Sequence, residues 1–105
     1  MPKKYQIVLQ FPAKSTRDYD DMIAFENTLI ERLGTDAEVD GHDCGSGEMN
    51  LFVFADKPQK VFTMIRTLLP MQEIFGKLVA AYRERTGKQY TILWPDGYDR
   101  PFKIT

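Results

Sequence analysis

The sequence has very few of the residues that build disulfides and metal sites. Its 105 residues include one cysteine, Cys44, and one histidine, His42. A single cysteine excludes a disulfide within the chain and indicates a reducing compartment. A zinc site needs a full set of ligands at recognisable spacing, which one cysteine and one histidine do not provide. We therefore predict a cytoplasmic protein with no metal and no cofactor.

Long apolar runs and an excess of one charge are also absent. The run Ile7-Val8-Leu9 is far shorter than the core of a signal peptide, and no stretch approaches the ~20 apolar residues that span a bilayer. The formal net charge is -1 and the isoelectric point is near 5.8, so the chain has no excess positive charge that would attract a phosphate backbone. We expect neither a membrane nor a nucleic acid as partner.

The remaining composition is that of an ordinary globular domain. Hydrophobic residues make up 43% of the chain and charged residues 28%, which argues against disorder. A chain of this length fits one domain, and we assign residues 1–105 to a single α+β domain.

The first half of the chain shows a strand followed by a helix. Apolar residues alternate through Tyr5, Ile7, Leu9 and Phe11 up to Pro12, as in a half-buried strand. Ser15 then stands where a helix N-cap is expected, and Gly34 stands where the helix should end. Between them, apolar residues recur at helical spacing: Met22, Phe25, Leu29 and Leu33.

The stretch VDGHDCGSGEMNLFVF, residues 39–54, has the pattern of a hairpin. A three-residue loop at Gly45–Gly47 places Val39 opposite Val53 on one face, and Asp40 and His42 on the other. Residues 55–70 then predict a second helix with Asp56 as its cap and an early Pro58. The predicted apolar stripe of this helix is Val61, Phe62, Ile65, Leu68 and Leu69.

The segment from residue 71 to 85 fits two structures. Its apolar spacing suits a helix, whereas Pro70, Gly76 and the TGK at 86–88 favour a hairpin that leads into YTILW. In that strand Tyr90, Ile92 and Trp94 are expected on one face, and 101–104 could add an edge strand. The order β-α-β-β-α-β predicts a ferredoxin-like α+β sandwich. Two helices cover one face of an antiparallel sheet, with or without an extra C-terminal strand.

The sheet face opposite the helices is the first surface to suspect. The predicted register places these residues there: Gln6, Val8, Gln10, Asp40, His42, Asn50, Phe52, Phe54, Thr91 and Leu93. Contiguous exposed aromatic residues usually mark a partner or ligand surface. Two alternatives cover this face without a foreign partner: the C-terminal segment folds across it, or two copies pair through it.

The hairpin supplies the candidate binding residues, which are Asp40, His42, Asp43, Cys44, Glu48, Asn50, Phe52 and Phe54. Cys44 and His42 are two apart on a strand and could touch, but no residue pattern provides an oxyanion hole or orients the histidine. A free cysteine usually behaves as a small hydrophobic residue. We therefore assign no catalytic residue, although acid–base work by Asp40 and His42 remains an alternative.

Three motifs resemble a set of small uncharacterised bacterial proteins. They are the D-G-x-x-x-G-x-G-E loop at residues 40–48, YRERTG at 82–87 and the Y-T-x-L-W-P strand at 90–95. The resemblance implies a ferredoxin-like fold, a bacterial origin and the hairpin interpretation of the segment that leads into YTILW. Some small acidic proteins of this kind are immunity partners of secreted toxins. The analogy with this chain rests on size and charge alone.

The sequence thus favours a non-enzymatic domain that binds a protein partner or forms a homodimer. An immunity-type role would be one kind of partner binding. The alternative is a small enzyme or ligand-binding domain with a pocket near Asp40, His42 and Glu48. RNA binding is the less favoured third option, because the basic-Gly-aromatic run of the RNA recognition motif is missing.

Overall fold

A computed structural model describes residues 3–104. These residues form a five-stranded antiparallel sheet in the order β2-β3-β1-β4-β5, together with three helices. The α+β class and the antiparallel sheet are confirmed. The elements are β1 (Tyr5–Pro12), α1 (Thr16–Arg32), β2 (Ala37–Gly45), β3 (Glu48–Ala55), α2 (Pro58–Thr67), α3 (Glu73–Gly76), β4 (Val79–Glu84) and β5 (Thr91–Trp94).

Strand β1 lies at the centre of the sheet because its residues can be buried on both sides. It pairs with β3 on one side and with β4 on the other, so that Ile7 lies between Val53 and Tyr82. Ile7 and Leu9 point to the main core, and Val8 on the opposite face is also fully buried. The predicted alternation is correct, although both faces of this strand are covered in its middle.

Helix α1 begins and ends where the sequence predicts. The Ser15 hydroxyl accepts a hydrogen bond of 3.2 Å from the backbone N–H of Asp18, which satisfies one of the free donors of the first turn. Met22, Phe25 and Leu29 are buried against the sheet. Gly34 follows the C-cap with a φ of +60°, a left-handed conformation that glycine adopts without strain.

Helix α2 forms as predicted, but its cap is different. Its N-cap residue is Lys57, and no side chain caps the first turn. Asp56 was expected in that role, and the prediction is wrong because its carboxylate has another partner. Its Oδ1 accepts a 3.0 Å hydrogen bond from the backbone N–H of Lys4, which joins this loop to the start of β1.

The ambiguous segment divides into a short helix and a strand. Strand β4 pairs antiparallel with β5, so the hairpin prediction is confirmed from residue 79 onward. Before it, the single turn α3 buries Ile74 and Phe75. The Phe75 ring centroid lies 5.3 Å from that of Phe11 and 5.1 Å from that of Phe25, so this turn closes the open end of the core.

Strand β5 differs from its prediction in facing and in length. Ala81 pairs with Ile92 and Ala80 with Trp94, with an irregularity between the two pairs. Because of that irregularity Trp94 turns toward α2, where the Arg66 guanidinium lies 4.0 Å from its ring. The predicted common face of Tyr90, Ile92 and Trp94 is therefore wrong. The expected edge strand at 101–104 does not form, and these residues are irregular.

Candidate functional site

The β2–β3 hairpin turns through two residues, Ser46 and Gly47. Both have positive φ values, 51° and 79°, as a type I′ turn requires. The predicted three-residue loop is therefore one residue too long. The strands still pair Val39 with Val53, because Asp40 forms a β-bulge that takes up the difference. Gly41 follows the bulge with a φ of +127°, which only glycine adopts readily.

The bulge reverses the facing of the residues nearest the turn. His42 lies opposite Leu51, and Cys44 lies opposite the buried Met49, so both are on the helix side of the sheet. The predicted position of His42 on the open face, which the three-residue loop would place opposite Asn50, is wrong. Asp43 takes that place, while Asp40 is the extra residue of the bulge. Asp40 therefore lies outside the regular alternation that predicts one shared face for Asp40 and His42.

On the helix side, His42 meets two side chains from α1. Its Nδ1 lies 3.1 Å from Oε1 and 3.2 Å from Oε2 of Glu26, and its Nε2 lies 3.3 Å from the Tyr19 hydroxyl. Tyr19 and Glu26 are two helical turns apart, so both reach the same stretch of β2. The side chain of Glu26 is only 12% exposed and that of His42 26% exposed.

The carboxylate of Glu26 can only accept, so Nδ1 of His42 carries the proton that it receives. In the neutral imidazole Nε2 then accepts from the Tyr19 hydroxyl, and in the imidazolium Nε2–H donates to it. A carboxylate that orients a histidine toward a hydroxyl is the relation found in acyl-transfer triads. However, the five clefts described for residues 3–104 are lined by other residues. The three groups therefore fasten the hairpin to α1.

The other hairpin candidates do not converge on His42. Cys44 is exposed and Asp43 points to the opposite side of the sheet. Glu48 pairs with Gly45 at the turn, beyond both of them. Within residues 3–104, no group of three or more His, Cys, Asp or Glu side chains is placed to hold a metal ion. The structure thus places Asp43 on the opposite side of the sheet from His42, and Glu48 at the turn.

The open face of the sheet is partly covered by the chain itself. Gln10 Nε2 donates to Asn50 Oδ1 at 3.0 Å and to the backbone carbonyl of Lys103 at 2.8 Å, which brings the C-terminal segment onto this face. Asn50 is fully buried there. The ring of Phe102 packs against Tyr90 with centroids 4.9 Å apart. Of the two covers considered, the C-terminal segment is the one observed in this single chain.

Phe52 and Phe54 are half-buried on this face rather than openly displayed. The Arg85 guanidinium lies 3.8 Å above the centroid of the Phe54 ring, so one side of that ring already has a cationic neighbour. These two residues therefore offer less apolar surface than the sequence pattern indicates.

Sequence reasoning missed Tyr19 and Glu26. Glu26 interrupts the predicted apolar face of α1 between Phe25 and Leu29, where a carboxylate is unexpected. A buried carboxylate needs a hydrogen-bonding partner, which a histidine, a hydroxyl or a cationic side chain can supply. The acid on this face is thus the signal of a polar partner, and the one histidine of the chain is among the candidates.

Comparisons with protein-family models, with curated proteins and with solved structures give no match to this chain. Within residues 3–104, the helices are too short and too polar for any of them to cross a bilayer.

Proposed function

We propose that this protein is a non-enzymatic protein-binding domain whose binding surface is the outer edge of β2. The observation that carries the proposal is the position of β2, which within residues 3–104 ends the sheet and pairs with β3 alone. An edge strand offers a row of backbone N–H and C=O groups to an incoming strand. The strand runs from Ala37 to Gly45 with the bulge at Asp40, so a short incoming segment can pair with the regular residues beside the bulge.

Apolar side chains of α1 flank this edge. Tyr19 is 40% exposed and Ile30 is 58% exposed, and both are among the large hydrophobic residues left open to solvent. Helical spacing places them on the same side of α1 as Glu26, the residue that contacts β2 through His42. A strand added to β2 could therefore rest its side chains on apolar surface as well as pair its backbone.

The acidic side chains on this edge indicate what kind of partner can bind there. Glu38, Asp40 and Asp43 are all exposed on β2, and the strand carries no lysine or arginine. Two copies paired through this edge would bring like charges together, which disfavours a homodimer here. The occupant that fits is an extended, basic segment of another protein. An immunity-type role, in which an acidic protein covers a basic toxin, is consistent with that chemistry.

We also infer that the domain is a ferredoxin-like one with β5 added at the sheet edge. The two crossed β-α-β connections, β1-α1-β2 and β3-α2-β4, support this inference. The enzyme alternative near Asp40, His42 and Glu48 has weaker support, because both ring nitrogens of His42 are engaged by Glu26 and Tyr19 of α1.

The test is a titration of the isotope-labelled protein with a short alternating Lys-Val peptide, in which NMR spectra detect binding. We expect the amide signals of residues 37–45 to shift and their outward amides to gain protection from exchange. Charge reversal in Asp43→Lys should weaken binding, whereas Asp99→Lys, an equal charge change at an exposed position beyond β5, should weaken it less.

A peptide of equal charge that carries alternating prolines serves as the matched control, because proline cannot donate to a strand ladder. Equal affinity for the two peptides, or shifts that map away from β2, would show that the attraction is only electrostatic and would overturn the proposal.

A further inference from the structure

A cleft lies at the end of the sheet where β1 begins and β4 ends. The backbone N–H of Arg85 donates to the carbonyl of Lys4 at 2.7 Å, which extends the pairing of these strands by one residue. The cleft has a volume of about 420 Å³, a size typical of small-molecule sites. Its lining consists of Lys3, Lys4, Tyr5, Glu84, Arg85 and Thr86.

The lining of this cleft is cationic in a protein whose formal net charge is -1. Lys3 reaches the Asp56 carboxylate only at 4.0 Å, and within residues 3–104 no ion pair holds Lys4 or Arg85. Glu84 is the single acid among the lining residues. A neighbouring cleft shares Tyr5 and Glu84 with this one and adds further cations, Arg83 and Lys88.

Arg85 is the residue that points to a ligand. Its guanidinium stacks 3.8 Å above the ring of Phe54, and its buried Nε has no hydrogen-bond partner in the described chain. The guanidinium thus has no partner at Nε, and because that atom is closed to solvent, a ligand in the cleft would pair with the Nη groups of the same fork. Stacking on an aromatic ring holds the planar fork in one orientation, the arrangement that favours recognition of phosphate groups. An anion beside this guanidinium would balance its charge.

We propose that this cleft binds a small organic phosphate. The phosphate group lies between the Lys4 ammonium and the Arg85 guanidinium, and the Thr86 hydroxyl can donate a further hydrogen bond. The organic part rests against the half-buried ring of Tyr5. A fork and an ammonium together match the several acceptor oxygens of a phosphate better than a single carboxylate. The site is at the start of β1 and is separate from the β2 edge, so either proposal can fail without the other.

The test titrates the full chain with phenyl phosphate and follows amide signals by NMR, with calorimetry for affinity. Saturable shifts are expected at Lys4, Tyr5, Arg85 and Thr86. Lys4→Gln removes an exposed charge without touching the core and should weaken binding about tenfold. Lys14→Gln is the matched control, because it removes an exposed lysine beyond the other end of β1 and should leave the affinity unchanged.

Arg85→Lys tests the fork, since it keeps the positive charge and loses the planar donor pair. We expect it to weaken phenyl phosphate binding by about tenfold while the NMR spectrum remains that of a folded protein. Benzyl alcohol, which lacks the phosphate, should not bind. Inorganic phosphate should bind more weakly than phenyl phosphate because it does not reach Tyr5.

Three results would overturn the proposal. One is equal loss of affinity in Lys4→Gln and Lys14→Gln, which would indicate unspecific attraction to surface charge. Another is unchanged affinity in Arg85→Lys with a folded spectrum. The third is a set of amide shifts that maps outside the cleft.

Discussion

Glu26 of α1 holds His42 of β2 through both of its carboxylate oxygens, at 3.1 and 3.2 Å from the imidazole Nδ1. The two residues are 16 positions apart in the chain and come from different layers of the fold. They form a cross-link between the helix layer and the edge of the sheet. Because β2 has a strand neighbour on one side only, this cross-link is part of what fixes the hairpin to the domain.

We therefore predict a measurable coupling between these two side chains. Glu26→Gln and His42→Gln should each lower the free energy of unfolding by about 1 kcal/mol, as expected for a partly exposed hydrogen bond to a charged group. Urea unfolding of the two single variants and the double variant measures the coupling. Strictly additive losses would mean that the two side chains act independently.

The hairpin turn offers a stabilising change. Ser46 has a φ of 51°, which a serine adopts less readily than an asparagine, while Gly47 already suits its position. Ser46→Asn should therefore raise the free energy of unfolding by about 0.5 kcal/mol. Thermal unfolding measures the change. If Ser46→Asn proves less stable than the parent chain, the type I′ geometry of this turn is incorrect.

Substitution of Gly41 should destabilise the protein, because the backbone conformation there suits glycine alone. No atom lies within 4 Å of a Cβ built at this position, so space is not the constraint. Its φ of +127° is strained for any side chain, and Gly41→Ala should lower the free energy of unfolding by about 2 kcal/mol. Gly76→Ala is the matched control, because Gly76 also has open space but no positive φ. Equal stability of the two variants would argue against the bulge.

The N-cap of α1 can be tested by itself. Ser15→Ala removes the acceptor for the Asp18 N–H and should lower the free energy of unfolding by about 1 kcal/mol. Thr16→Ala, one residue further into the helix, is the control and should change stability much less. Chemical denaturation of both variants gives the comparison, and similar losses in the two would contradict the assigned cap.

The C-terminal segment should stabilise the open face of the sheet. Truncation after Arg100 removes the Lys103 carbonyl that accepts from Gln10 and the ring of Phe102 that packs on Tyr90. We expect a loss of about 1–2 kcal/mol and increased binding of a hydrophobic dye. Gln10→Ala should lose less stability in the truncated chain than in the full one, because the bond to Lys103 is already gone. Full additivity would place the segment elsewhere.

Much of this architecture can be predicted from periodicity because burial imposes it. The alternation of β1 and the stripe of α1 follow directly from which side chains must avoid water, and both are found as predicted. The register of the hairpin is harder to predict, because Gly45, Ser46 and Gly47 allow either a two- or a three-residue turn. Both turns pair Val39 with Val53, and only the bulge at Asp40 separates them.

That single ambiguity accounts for the errors at the candidate site. A shift of one residue beyond the bulge moved His42 from the open face to the helix side and brought Asp43 opposite Asn50. The same shift conceals the contact between Glu26 and His42, because the predicted register places His42 on the side of the sheet away from α1. The sequence leaves two covers open for this face, the C-terminal segment or a second copy, because a segment with no regular structure has no periodicity that would place it.

The bulge at Asp40 also bears on how this protein behaves when it is crowded. A straight, continuous edge strand is a template on which other chains can stack into fibrils. Asp40 interrupts that template with an extra charged residue, so a short segment can pair beside the bulge but a long continuous stack cannot form, and deleting Asp40 would leave every other pair of the hairpin in register. We therefore expect the deletion variant to keep its fold but to lose the interruption that prevents stacking on β2. In a concentrated solution it should form insoluble aggregates rather than unfold.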